Sequence, residues 1–159
     1  GCCMAAFDKF TIRVRGRGCH GSTPEKGVDP VNAAAHIVLS LQAITTREIS
    51  AARSLVLTIG RIQGGDQYNI IPDEVVLEGT IRTFDRELSE QLMERIRQVA
   101  ESVAAAFRGS ALVEEPASAP PLHNDPALME QMEDVERSLP PPEKEGAVSP
   151  EKKCGEKVE

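Results

Sequence analysis

Val75 to Gly109 reads VVLEGTIRTFDRELSEQLMERIRQVAESVAAAFRG, and the change of period inside it decides the fold. Over its first ten residues the pattern alternates. Val75, Leu77 and Ile81 point one way, and Glu78, Thr80 and Arg82 the other, as in a strand with one buried face. At Asp85 the period lengthens. Asp85 offers a carboxylate to the free N–H groups of a helix start. Leu88, Leu92, Ile96, Val99 and Val103 then recur every three to four residues, the stripe of an amphipathic helix. Gly109 suits the end of that helix.

Working outward, Leu55 to Ile62 is rich in β-branched residues and predicts a second strand, broken by Gln63-Gly64-Gly65-Asp66. Asp29-Pro30 starts an earlier helix, since Asp accepts from free N–H groups and Pro fits a first turn. Val31, Ala34, Val38 and Leu41, widened by Ile37 and Ile44, carry it to about Arg47. Phe10, Ile12 and Val14 alternate with Thr11, Arg13 and Arg15 as a first strand, and Ala111 to Glu114 gives a short fourth. The order β-α-β-β-α-β predicts an α+β, ferredoxin-like fold: a four-stranded antiparallel sheet with two helices on one face. This domain is expected over residues 1–115. Residues 116–139 read as a linker and a short amphipathic helix from Asp125 to Leu139. Residues 140–159, dominated by Pro, Glu and Lys, read as disordered.

The chain of 159 residues is 40% hydrophobic, enough for a core, but only 3% aromatic, so that core is aliphatic. A formal net charge of −7 and the shortage of aromatic rings argue against nucleic-acid binding. No apolar run is long enough for a bilayer, and no signal-peptide pattern is present, so no membrane partner is expected. The chain opens at Gly1 rather than Met and reads as a processed protein or a piece of a longer one. Cys2, Cys3, Cys19 and Cys154 form no C-x-x-C pair. They are expected to be free thiols in a reducing, cytoplasmic setting.

Three segments are too polar and glycine-rich for simple connectors. In Gly18-Cys19-His20-Gly21-Ser22-Thr23-Pro24, His20 sits at an exposed tip. Its imidazole could donate to an oxyanion, or be a loop histidine satisfied by water. In Asn69-Ile70-Ile71-Pro72-Asp73, the Asn69 amide could hold a polar substrate group or cap its own turn. In Gly79-Thr80-Ile81-Arg82-Thr83-Phe84-Asp85, the Arg82 guanidinium matches a carboxylate, supplied by a ligand or by Glu78 across the sheet. The residues alone leave each pair of readings open.

Together with Gly27-Val28-Asp29-Pro30-Val31, these segments resemble the lid (dimerisation) domain of the M-twenty metallopeptidases. The nearest branch contains hippurate hydrolases, N-acyl-amino-acid amidohydrolases and auxin-conjugate hydrolases. The resemblance covers about the first two-thirds of the chain. It implies a ferredoxin-like lid inserted into a catalytic domain with two zinc (or manganese or cobalt) ions. It implies that His20 is catalytic, reaching into an active site, often the partner subunit's, to stabilise a tetrahedral intermediate. It implies that Asn69 and Arg82 bind the substrate. Where the family usually has glycine, this chain has Cys19.

The chain has only His20, His36 and His123, so no metal site or cofactor of its own is expected, and no hydrolysis by the isolated chain. The expected function is therefore the lid and substrate-binding part of an amidohydrolase acting on N-acyl amino-acid-like amides. Its expected partners are the parent's catalytic domain and a second copy. Leu55 to Ile62 is the expected exposed edge for self-association, with Val56, Ile59 and Ile62 as apolar surface. The alternative is a non-catalytic ferredoxin-like module that dimerises or binds a small ligand.

Overall fold

The computed structural model describes residues 2–138. The expectation for residues 140–159 lies outside them. The chain divides into two units, residues 1–124 and residues 125 onward.

In the first unit the strands are β1 (Cys2–Met4), β2 (Phe7–Arg15), β3 (Cys19–His20), β4 (Leu55–Gly64), β5 (Ile70–Ile71), β6 (Glu74–Thr83), β7 (Ser110–Ala119) and β8 (Leu122–His123). The helices are α1 (Pro30–Ala43) and α2 (Arg86–Ala106). The main sheet has the order β4-β6-β2-β7, with every pairing antiparallel. That is the ferredoxin-like arrangement. β3 pairs with β5, and β1 with β8, as two small ribbons.

Alternation sets the layers. Phe10, Ile12 and Val14 of β2 and Val75, Leu77 and Ile81 of β6 are buried against Ala34, Ile37 and Leu41 of α1 and Leu88, Leu92 and Ile96 of α2. Gly79 is the exception on this inner face: a Cβ there would lie 2.4 Å from Phe10 Cζ and 2.5 Å from the Thr58 carbonyl. Only a hydrogen at that position leaves room for the Phe10 ring.

Both helix starts form as expected. Asp29 Oδ1 accepts from the N–H groups of Val31 (2.8 Å) and Asn32 (3.3 Å), and Asp85 Oδ1 from that of Leu88 (3.1 Å). Four details differ from the sequence reading. Helix α1 gives way at Ile44 to a wider π turn, Ile44–Glu48, instead of continuing regularly to Arg47. Val31 faces solvent, since the buried stripe runs through Pro30, Ala33, Ala34, Ile37 and Leu41. At the end of α2 the left-handed residue is Arg108 (φ 66°), while Gly109 is needed because a Cβ would approach Arg15 O to 2.7 Å. Finally, β7 does not stop at Glu114. A register shift opposite Lys9/Thr11 lets it resume, and Ala117, Ser118 and Ala119 pair with Lys9, Asp8 and Phe7. A bulge absorbs the Pro116 that looked like a linker.

A second bulge, opposite Gly79/Glu78, divides β4. Before the bulge, plain alternation puts Ile59 against the core and Val56, opposite Arg82, on the outer face, so Val56, Ile59 and Ile62 do not share one surface. β4 is nevertheless an edge strand, as expected.

The second unit contains α3 (Pro126–Ser138), capped by Asp125 Oδ1, which accepts from Ala127 N–H at 2.8 Å. Among the described residues no helix is long and apolar enough to cross a membrane.

Candidate functional site

Two of the three candidate residues share one ribbon. In the β3–β5 pair, Cys19 lies opposite Ile71 and His20 opposite Ile70. The pairing extends to Gly21, whose N–H donates to Asn69 O at 2.8 Å. His20 and Asn69 are therefore neighbours at the ribbon's tip. At its base Asp73 holds the segment that enters β3: its carboxylate accepts from Gly18 N–H at 2.7 Å, and its carbonyl from Gly16 N–H at 2.8 Å. Sequence reasoning missed Asp73. An Asp after Pro looks like ordinary turn chemistry until the partner, fifty-five residues away, is known.

The tip is open. An exposed cleft of about 690 Å³ is lined by His20, Asp66, Gln67, Ile70 and Asp73 among others. His20 and Asn69 are exposed. His20 Nδ1 lies 2.7 Å from Ser22 Oγ and accepts from Ser22 N–H at 3.2 Å. The Asn69 side chain makes no hydrogen bond among the described residues, so its donor and acceptor both face solvent. Cys19 is a partly buried free thiol whose side chain faces Gly27.

Arg82 is elsewhere. It lies eight residues along β6 from Glu74, next to the ribbon's base, which at the rise of a strand is roughly 27 Å. Its guanidinium stacks over the Phe7 ring at 4.6 Å on the outer sheet face. The carboxylate that could have claimed it, Glu78, is bound instead by Lys9 (3.1 Å) and Arg61 (2.8 Å). Hydrogen bonds from Arg61 and then Lys9 hold the Glu78 carboxyl below the usual glutamate range. Arg13 is likewise taken up, by Glu114 (3.1 Å) and Glu74 (3.3 Å), and Arg15 by Glu74. Arg82 thus stands apart from these ion pairs on the outer face, with no carboxylate partner among the described residues.

No group of three or more His, Cys, Asp or Glu side chains among the described residues is arranged to hold a metal ion. The residues present can donate and accept hydrogen bonds and hold an anion. They do not fit a metal centre.

A family model for the peptidase dimerisation domain matches residues 7–108, which span β2 through α2. The chain belongs to the M-twenty peptidase dimerisation-domain family. The chain is 42% identical over 125 residues to an N-acetyl-L-cysteine deacetylase of Bacillus subtilis, covering 79% of this chain and 30% of that protein. It is 38% identical over 106 residues to a hippurate hydrolase of Campylobacter jejuni, covering 67% and 28%. Among solved structures, a dinuclear metal binding peptidase of the same family from Bacillus subtilis superposes with a TM-score of 0.67 at 30% identity, covering 87% of this chain and 33% of that one. This dimerisation domain therefore spans about a third or less of the length of each of these relatives.

Proposed function

We propose that this chain is the lid of a metal-dependent amidohydrolase that cleaves N-acyl amino-acid-like amides, and that two copies build each binding site together. In this reading His20 polarises the scissile carbonyl, Asn69 holds a neighbouring polar group, and Arg82 takes the substrate carboxylate in bidentate geometry. Activation of water belongs to residues outside this chain, in a catalytic domain.

One observation carries the two-copy reading: His20 and Asn69 lie at one end of the sheet and Arg82 at the other. No single small substrate bridges them within one protomer. Edge strand β4 offers the remedy. β7, the other edge, is interrupted by its bulge and Pro116, whereas Leu55 to Ile59 of β4 is regular and unpaired on one side. Beside it α1 exposes a second apolar ridge, Val31, Ala35, Leu39 and Ala43. A helix apolar on two faces is covered on both. Two copies joined antiparallel along β4 would form one eight-stranded sheet about a two-fold axis. The Arg82 end of one copy then lies beside the partner's His20–Asn69 end.

The test is a chimera. Residues 7–119 replace the matching lid of the Bacillus subtilis N-acetyl-L-cysteine deacetylase, and hydrolysis of N-acetyl amino acids is measured. His20→Ala is expected to lower kcat roughly 100-fold, the scale for losing an oxyanion donor. Arg82→Ala is expected mainly to raise KM, because a carboxylate is held in ground and transition states alike. Full activity of both variants contradicts the assignment.

A further inference from the structure

We propose that Ser22 is a positioning residue that holds His20 as the Nε2–H tautomer in one ring orientation. The starting point is a donor that has no alternative role. A backbone N–H can only donate, and Ser22 N–H points at His20 Nδ1 from 3.2 Å. Nδ1 is therefore the acceptor and carries no proton. In the neutral imidazole the proton then sits on Nε2. The Ser22 hydroxyl, 2.7 Å from the same nitrogen, adds a second donor.

The loop is built to keep this geometry. Thr23 N–H donates to His20 O at 2.9 Å, closing a turn over residues 20–23 that brings residue 22 back over the ring. Gly21 N–H is tied to Asn69 O at 2.8 Å, so the turn is anchored to the opposite strand of the ribbon. The side chain of His20 acts here as Asn or Asp does when it accepts from the backbone two residues on. An exposed imidazole without such partners samples several rotamers and both tautomers. Two donors from one residue remove that freedom and leave Nε2–H, on the far edge of the ring, as an outward donor. The sequence carried the signal as a hydroxyl two residues after the histidine, in His20-Gly21-Ser22.

The inference rests on the proposed function only for the task given to Nε2–H, the donation to a developing oxyanion. The state of the ring is measurable without substrate, so failure of one is distinguishable from failure of the other. The full chain is labelled with ¹⁵N-histidine and studied at a pH above the imidazole titration. The two ring-nitrogen shifts and the side-chain couplings of His20 are recorded, with His36 and His123 as references in the same spectrum. The expected result is an unprotonated Nδ1, a protonated Nε2 and couplings of a single rotamer. Ser22→Ala removes the hydroxyl donor but keeps the backbone N–H, so it is expected to lose the single-rotamer couplings and move both nitrogen shifts part of the way toward a tautomer average, while Ser22→Thr restores the original pattern. Ser22→Gly gives a second reading of the same loss. Unchanged amide signals of β2 and β6 show that the fold is intact. A protonated Nδ1 in the unmodified chain, averaged couplings there, or an unchanged pattern in Ser22→Ala and Ser22→Gly would overturn the proposal.

Discussion

The Asp73 carboxylate accepts the Gly18 N–H at 2.7 Å, tying the first turn after β2 to the segment that enters β6. This bond anchors the base of the β3–β5 ribbon that carries His20 and Asn69. Asp73→Ala removes it and leaves the core untouched. The expected loss is about 1 kcal/mol of stability, with faster amide exchange at Gly18 and Gly21 and unchanged exchange in α2. Asp73→Asn keeps an acceptor oxygen and should recover most of the protection.

Gly79 faces Phe10 across the inner side of the sheet. Since a Cβ would fall 2.4 Å from Phe10 Cζ and 2.5 Å from Thr58 O, neither ring nor neighbouring strand can yield freely. Gly79→Ala should therefore cost about 1–3 kcal/mol, the range for overpacking a filled core. Urea denaturation checks it. A midpoint equal to that of the unmodified chain would show that Phe10 has room to move.

Ile96 is fully buried between α2 and the sheet. Ile96→Ala should destabilise the chain by about 2–5 kcal/mol through lost burial and the cavity left behind. Val56 is 54% exposed on β4. Val56→Lys should leave intrinsic stability nearly unchanged but lower the apparent dimer mass in sedimentation. The contrast between the two variants separates core from interface.

Acid should loosen the molecule in a definite window. Hydrogen bonds from Arg61 and Lys9 hold the Glu78 carboxyl below its usual range, one from Arg95 does so for Glu48, and the Leu88 N–H followed by Arg53 for Asp85. A carboxyl whose folded pKa is depressed contributes fully above its unfolded pKa, and that contribution disappears as pH falls through the folded value. The melting temperature should thus be flat near neutrality and fall on acidification through and below the ordinary carboxylate range. These pairs are exposed, so each contributes little alone. Glu78→Gln should make the fall shallower, and added salt should do the same.

The ferredoxin-like order was legible in the sequence because each element announces itself locally. Asp29 and Asp85 cap, Leu88 to Val103 repeat at helical spacing, and Val75 to Ile81 alternate. What depended on distant partners was not legible. Pro116 hid the second half of β7, whose pairing with Phe7 to Lys9 requires a bulge that no local pattern encodes. Val56 and Ile59, three residues apart, fall on opposite faces by alternation alone, whereas the face that Ile62 takes depends on the bulge in β4. The candidate site divides in the same way. His20, Asn69 and Arg82 could be picked out by resemblance, but their arrangement could not. That His20 and Asn69 share a ribbon follows from the Gly21–Asn69 bond, and that Arg82 lies apart follows from the register of β6. Asp73 and Ser22 act through other residues, and such roles appear only once the partner is in place.

The shared site is tested most directly by mixing two disabled proteins. In the chimeric enzyme, His20→Ala and Arg82→Ala variants are purified separately, dissociated, combined in equal amounts and reassociated, and amide hydrolysis is measured at a substrate concentration where each alone is nearly inactive. If Arg82 of one copy serves the site of the partner's His20, every heterodimer holds one intact site and one doubly damaged site. Random pairing then restores about a quarter of the unmodified activity. If His20 and Arg82 of a single copy serve the same site, no combination is intact, and activity stays at the level of the separate variants. That second result would contradict the account.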